Sequence, residues 1–405
     1  MKRLSRGSSS LDAFLAESSL ETKVVLYAAR VNLEEESAEA IKQILLERID
    51  WEKLLEVGQR HGVLQLLYHH LSSIASEVIP EPILKKMEDR YQETSRRNAF
   101  LATSLVELMD SFGKSQIKAL SFKGPVLAVS TYGDMALRRF YDLDILVDRR
   151  DFTRATNVLE SLGYNLKEQL SFESSYVNRD RVDIDLHHGF MGPQLPFQPT
   201  FEDLWHRHES VCLCGRAIPS LSLEDMVLFL CAQIARDSCV GANWLRLGKI
   251  CDLAEFVKVN PDIDWYKVTQ RAHAQQSERL IFFGVLLTSD LMGMVVPKIV
   301  EQRMREDLAN NTYSVRACRR LLSLTPQSPR LLDSFFKSLM IIPCPPVKFI
   351  SRSKLFLYFL RWTITPNERD REFLDIPQST RFLYYLVRPI RLLASAIAKQ
   401  STKRR

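Results

Sequence analysis

Two short acidic patterns carry the chemistry of this 405-residue chain: Asp142-Leu143-Asp144, and Asp183-Ile184-Asp185 just ahead of His187. On a strand, residues two apart project from the same face, so Asp142 and Asp144 point together while Leu143 and Ile145 point the other way. Like charges this close repel, and they are tolerated only in water or around a cation. Hard divalent ions such as Mg²⁺ take oxygen ligands of this kind and keep substrate phosphates as further ligands. The apolar run Ile145-Leu146-Val147 reads as a strand buried on both faces, with the aspartates at its mouth. A carboxylate pair there needs a cation or hydrogen bonds to offset desolvation. The plain alternative is a solvated strand end.

In residues 181–188 the alternation is strict: Val182, Ile184 and Leu186 face one way, and Asp183, Asp185 and His187 the other. Two apolar-backed strands with carboxylates on one face favour a metal cluster more than either alone. A histidine beside carboxylates usually orients them by hydrogen bonding, and ligation by His187 is the alternative. Upstream, Phe122-Lys123-Gly124-Pro125 reads as a strand end, a glycine turn and the start of a short helix. Backbone N–H groups and the positive end of such a helix favour phosphate. The combination points to metal-dependent transfer of a group from a nucleotide.

Lys123-Gly124, a helix, Arg138 four residues before Asp142, and later Asp185-Leu186-His187 resemble the uncharacterised nucleotidyltransferase family within the DNA polymerase beta-like superfamily. The likeness extends upstream through Asp50-Trp51-Glu52, Arg60-His61-Gly62-Val63 and Leu66-Leu67. Downstream it takes in Leu245-Arg246-Leu247, Asp252, Asp264-Trp265 and Tyr384-Tyr385-Leu386-Val387-Arg388-Pro389. The resemblance implies that Asp142 and Asp144 are paired ligands of Mg²⁺ (or Mn²⁺), with Asp185 as the third carboxylate. It also implies that Lys123, Gly124 and Arg138 bind the nucleotide. The implied reaction moves a nucleoside monophosphate from an NTP to a hydroxyl acceptor, with a small molecule, a sugar, a protein side chain or an RNA end all open as acceptor. Pro125 stands where the superfamily usually has a second small residue, and it removes one N–H donor from the phosphate cradle. That substitution leaves a second class open, a nucleotide-binding pseudoenzyme or regulatory module without turnover.

The elements that must position these residues can be read along the chain. Residues 1–15 are expected to be a disordered tail, and 16–114 a helical region with apolar spacings of three and four, as at Leu54, Val57 and His61 or Leu64, Leu67 and Leu71. Residues 115–220 form the expected nucleotidyltransferase core. It holds a strand at 117–122, a short helix at 125–132 closed by Gly133, and an amphipathic helix at 151–162 with Phe152, Ala155, Leu159 and Leu162 on one side. Helix returns over 221–387, with a buried helix at 224–234, an amphipathic one at 247–257 and short basic-apolar helices such as 354–362. A basic tail occupies 388–405. The expected class is α+β, with a small mixed sheet flanked by N-terminal and C-terminal helical regions.

Composition adds looser bounds. The net charge is +6, and Arg388, Arg391, Lys399, Lys403, Arg404 and Arg405 account for all of it. The remainder is formally neutral, which gives no support for an extended nucleic-acid groove. The basic C-terminal segment leaves contact with a membrane surface, or a scaffold role, as a third class. Seven cysteines show no Cys-x-x-Cys spacing, and their scatter suits reduced thiols and a cytoplasmic setting. Cys212 and Cys214 are expected as buried strand residues rather than soft-metal ligands, and Trp205-His206-Arg207-His208 as a surface feature. No leader segment is expected at the polar N-terminus. The apolar stretch 280–296, interrupted by Asp290, is expected to be a buried helix and not a membrane span.

Overall fold

The computed structural model describes residues 18–305, apart from 171, 192–196 and 241–244, together with isolated positions between 374 and 387. The tail expected at 1–15, the helix expected at 354–362 and the basic stretch 388–405 lie outside the described residues. The chain divides into two units, Met1–Arg330 and Leu331–Arg405, and the elements named below lie in the first.

Five helices lead in: α1 (Leu20–Ala28), α2 (Glu35–Leu45), α3 (Trp51–His61), α4 (Leu64–Ile74) and the long α5 (Glu81–Lys114). The two ends of α3 have local causes. Asp50 caps α3 by accepting from the Lys53 N–H at 3.0 Å, and Gly62 closes it in a left-handed conformation. On α5, Leu101, Leu105, Leu108 and Phe112 recur at helical spacing and are all buried. That half of the helix packs into the core of the sheet.

The sheet has five strands: β1 (Ala119–Ser121), β2 (Asp142–Val147), β3 (Asn165–Gln169), β4 (Glu173–Val177) and β5 (Asp183–His187), in the order β1-β2-β5-β4-β3. Only β2 and β5 run parallel; the other neighbours are antiparallel. One face carries Leu143, Ile145, Val147, Ile184, Leu186 and Tyr176, packed against α5 and α7 (Phe152–Ser161). The opposite face carries the acidic residues. The chain is therefore α+β, with a small mixed sheet and helices before and after it. The sequence pointed to the β1, β2 and β5 stretches but not to β3 and β4. All five residues of β3 are exposed, so it has no apolar alternation to detect.

Between β1 and β2 runs a short helix α6 (Gly124–Leu127), widened into a π-type turn over Ala128–Tyr132 and closed by Gly133 in a left-handed conformation. After β5 come α8 (Phe201–His206) and the hairpin β6 (Glu209–Leu213) and β7 (Arg216–Ser220). Cys212 and Cys214 lie on that hairpin and its turn and are exposed, contrary to the expected burial. Arg207 is no mere surface residue either, because it pairs with the buried Asp225 at 2.5 Å.

The remaining helices are α9 (Leu223–Val240), α10 (Leu247–Val259), α11 (Trp265–Ala274), α12 (Glu278–Met292) and α13 (Lys298–Arg305). They pack closely: a Cβ on Gly284 of α12 would stand 2.8 Å from the Cys231 backbone of α9, so only glycine allows this approach. The apolar stretch beginning at 280 forms α12, stopped by Gly293. Among the described residues, no helix is long and apolar enough to cross a membrane.

Candidate active site

The parallel pairing of β2 with β5 sets Asp142 opposite Asp183, Asp144 opposite Asp185, and Leu146 opposite His187. Paired residues on neighbouring strands share a face about 4.8 Å apart, so four aspartates form two rungs on one side of the sheet. Antiparallel β4 continues the face, with Ser175 opposite Asp185 and Glu173 opposite His187.

Asp144 is the buried centre of this face, with 2% exposure. Its Oδ1 accepts from Lys123 Nζ at 2.6 Å and meets His187 Nε2 at 3.1 Å. Burial alone would raise its pKa, but the Lys123 charge and the His187 hydrogen bond overcome that and hold the carboxyl well below its usual range. Asp142, one strand repeat toward the mouth, has no side-chain partner among the described residues. Burial and the neighbouring Asp144 charge push it up to about 6, against the opposing pull of Lys123. Asp185 accepts from Ser175 Oγ at 2.5 Å, and burial and Asp144 raise its pKa.

His187 is buried between two carboxylates, with Nδ1 lying 3.0 Å from Glu173 Oε2 as an ion-pair contact. Burial opposes its charge, yet Asp144 and Glu173 together push it up to about 9, so it is an imidazolium at neutral pH. Phe122 meets its ring edge-on, with centroids 5.3 Å apart, and Phe122, Phe190 and Phe229 pack as an aromatic wall. Lys123 Nζ sits 5.4 Å from both the Phe122 and Phe229 rings, a cation–π arrangement that fixes the lysine as it bonds Asp144.

Gly124 is required where it stands. Its φ is +54°, and a Cβ there would lie 3.2 Å from the Asp142 carbonyl oxygen. The glycine turn therefore presses directly on the first acidic strand.

Of the residues singled out by sequence, Lys123, Gly124, Asp142, Asp144 and Asp185 come together here. Arg138, expected on the nucleotide, forks its guanidinium onto Asp252 of α10, through Nε at 2.7 Å and Nη2 at 2.9 Å. His187, expected to orient the carboxylates by hydrogen bonding, bonds Asp144. Asp183 pairs with Lys167 of β3 at 2.9 Å. Sequence reasoning missed Glu173 and Ser175, whose period-two spacing lies in a strand with little apolar marking.

Asp144, Asp185 and His187 offer ligand atoms within 4.8 Å of one another, a group able to hold a metal ion. Both His187 nitrogens already face carboxylates, so its ligation would cost those contacts. Asp142, on the same face of β2 as Asp144, stands as a further carboxylate beside that group. On this face five carboxylates (Asp142, Asp144, Asp183, Asp185 and Glu173) meet three cations (Lys123, His187 and Lys167), which leaves an excess of two negative charges beside Asp142, unpartnered among the described residues. An all-oxygen set with that excess suits a hard divalent cation.

The model of the uncharacterised nucleotidyltransferase family matches residues 47–293, which include every residue of this site. The chain belongs to that family. No curated protein matches this nucleotidyltransferase. Among solved structures, it is similar to the lincosamide antibiotic adenylyltransferase LnuA bound to lincomycin, at 20% identity and a TM-score of 0.26, over 31% of this chain and 84% of that one. ANT(2")-Ia in complex with adenylyl-2"-tobramycin aligns at 14% identity and a TM-score of 0.34, over 44% and 97%. An antigenic nucleotidyltransferase-like protein from Paracoccidioides brasiliensis aligns at 13% and 0.31, over 50% and 96%. At these scores none of the three bears on the acceptor of this chain.

Proposed function

We propose that this nucleotidyltransferase moves a nucleoside monophosphate from an NTP to a hydroxyl acceptor, with Asp142, Asp144 and Asp185 as ligands of Mg²⁺ or Mn²⁺. The observation that carries the proposal is the charge-unbalanced carboxylate face against which the Gly124 turn is pressed. A bound divalent cation would neutralise phosphate charge and lower the pKa of the acceptor hydroxyl.

The chain's own groups supply the rest. His187 and Ser175 hold Asp144 and Asp185 in fixed orientations, so the carboxylates need little reorganisation on loading. Lys123 is seated on Asp144 and leaves 19% of its side chain exposed, within reach of a phosphate entering at the Gly124 turn. Exchange of that ammonium from carboxylate to phosphate would offset charge on the leaving pyrophosphate. Gly124 lets the backbone approach the phosphate without a side chain in the way. Pro125 reduces the N–H donors of the turn by one, which places more of the phosphate binding on Lys123.

The test is Mg²⁺-dependent pyrophosphate release from each NTP, measured for the native chain and for Asp142→Asn, Asp144→Asn and Asp185→Asn. Loss of release in all three folded variants is expected. Full Mg²⁺-dependent release by Asp144→Asn would overturn the assignment. NTP binding without release across a broad acceptor panel would favour the pseudoenzyme class.

A further inference from the structure

Asp252 of α10 is a buried carboxylate, 4% exposed, outside the acidic face. Its Oδ1 accepts from Tyr132 Oη at 2.7 Å and from Arg138 Nε at 2.7 Å, and its Oδ2 from Arg138 Nη2 at 2.9 Å. Replacing a buried ion pair by apolar residues is often neutral or stabilising, so stability alone is a weak reason for this one. What the carboxylate connects is more informative. Tyr132 ends the helical segment that begins at Gly124, and Arg138 Nη1 points at the Gly124 carbonyl from 3.5 Å, the outer limit of a hydrogen bond. One carboxylate thus reaches both ends of residues 124–132.

The opposite side is fixed from α5. Asn98 Nδ2 donates to the carbonyls of Met135 at 2.7 Å and Arg138 at 2.8 Å, which holds the backbone from which the arginine extends. Gly124 stands close against the Asp142 carbonyl, whose oxygen would lie 3.2 Å from a Cβ at this position. The position of segment 124–132 therefore sets the spacing between the turn and the first acidic strand.

We propose that Asp252 is a positioning residue for the nucleotide turn: through Arg138 and Tyr132 it locks residues 124–132 against the Asp142 strand, so that NTP phosphates and the Asp142 and Asp144 carboxylates stand in register. This inference rests on the nucleotidyl-transfer reading above. It assigns a residue of the helical bundle to the site and gives Arg138 a role in supporting the turn rather than on the phosphate.

The test separates nucleotide affinity, metal affinity and stability in the full chain. ATP, GTP, CTP and UTP, each with Mg²⁺, are titrated by calorimetry into the native protein, Asp252→Asn, Arg138→Lys and Tyr132→Phe. Mn²⁺ alone is titrated by electron paramagnetic resonance, and thermal unfolding is recorded for each. Asp252→Asn is expected to weaken the best-bound NTP tenfold or more, with Mn²⁺ affinity within twofold of native. Arg138→Lys keeps the charge but loses the planar fork, and is expected to match it. Tyr132→Phe removes one donor and is expected to give a smaller loss of the same kind, which keeps the test open should Asp252→Asn fail to fold. Arg207→Met, which breaks the pair with Asp225, should lower the unfolding temperature and leave NTP affinity native. Native NTP affinity in a destabilised Asp252→Asn or Tyr132→Phe protein would overturn the proposal. A native chain that binds none of the four nucleotides would overturn the underlying reading as well, an outcome visible before any variant is compared.

Discussion

Asp142 illustrates how a site residue can work against stability. Its carboxyl is pushed up to about 6, so its protonated form stabilises the metal-free fold below pH 4, and that contribution is lost as pH rises through 6. At pH 7 the ionised group is a cost, and Asp142→Asn should stabilise the metal-free protein by about 1 kcal/mol or more while abolishing transfer. Denaturant unfolding with and without Mg²⁺ checks this; a variant less stable than native without metal would contradict it. Lys123→Ala should lose roughly 1.5–3 kcal/mol of NTP binding, ten- to a hundredfold in calorimetry. From sequence, a lysine beside a glycine turn has little reason to matter for folding. Its bond to buried Asp144 and its seat on Phe122 and Phe229 correct that, and a loss of stability should accompany the loss of affinity. Gly124→Ala forces a side chain into left-handed backbone 3.2 Å from a carbonyl, and should cost about 1–2 kcal/mol in unfolding free energy with a parallel loss of NTP affinity. An alanine variant with native stability would mean that the turn relaxes.

Strand β5 was legible because its apolar residues alternate strictly with Asp183, Asp185 and His187, and β2 because Asp142 and Asp144 flank Leu143 ahead of a continuous apolar run; that spacing alone aligned Asp142 with Asp144 and Asp183 with Asp185. Their mutual register was not legible, since pairing depends on the parallel contact between strands forty residues apart. β4 escaped notice because only Tyr176 and Val177 mark it as apolar, and with it went Glu173, which faces the second nitrogen of His187. The register separates two aspartates functionally. Asp185 lies beside Asp144 and should lose nearly all activity as Asp185→Asn, whereas Asp183 is tied to Lys167 and Asp183→Asn should retain a substantial fraction. Reversed losses in the pyrophosphate assay would shift the third carboxylate by one strand repeat. A second element-level prediction concerns the contact of α3 with α10. His61 Nδ1 accepts from the Leu247 N–H at 3.4 Å, and burial, with the Arg60 and Arg246 charges, pushes its pKa down to about 4. Between pH 4 and about 6.5 the unfolded chain binds a proton that the folded one rejects. Stability is therefore full above pH 6.5 and falls as pH drops through that window, by about 3 kcal/mol in total. Denaturant midpoints at pH 7 and 5 should differ more for the native chain than for His61→Asn; equal differences would contradict the assignment.

At the scale of the molecule, the sheet and its acidic face could be foreseen while the contribution of the helical bundle could not. Phe229 on α9 lies 106 positions from Lys123, and Asp252 on α10 lies 114 positions from Arg138, so each meets its partner only through the fold. Helical periodicity marks both helices as core and says nothing of which polar residue turns toward the site. Net charge was similarly silent: the surplus of six lies in the last eighteen residues, and the acidic face owes its imbalance to local geometry. Nucleotidyl transfer and transfer of the terminal phosphoryl group differ in which phosphorus moves. The most direct measurement incubates the protein with Mg²⁺ and a metabolite extract, using each NTP labelled with ³²P at either the α or the γ position. Nucleotidyl transfer predicts α-label on an acceptor, γ-label only in released pyrophosphate, and loss of both signals in Asp144→Asn. Transfer of the γ-label to an acceptor, or α-label transfer undiminished in Asp144→Asn, would contradict it.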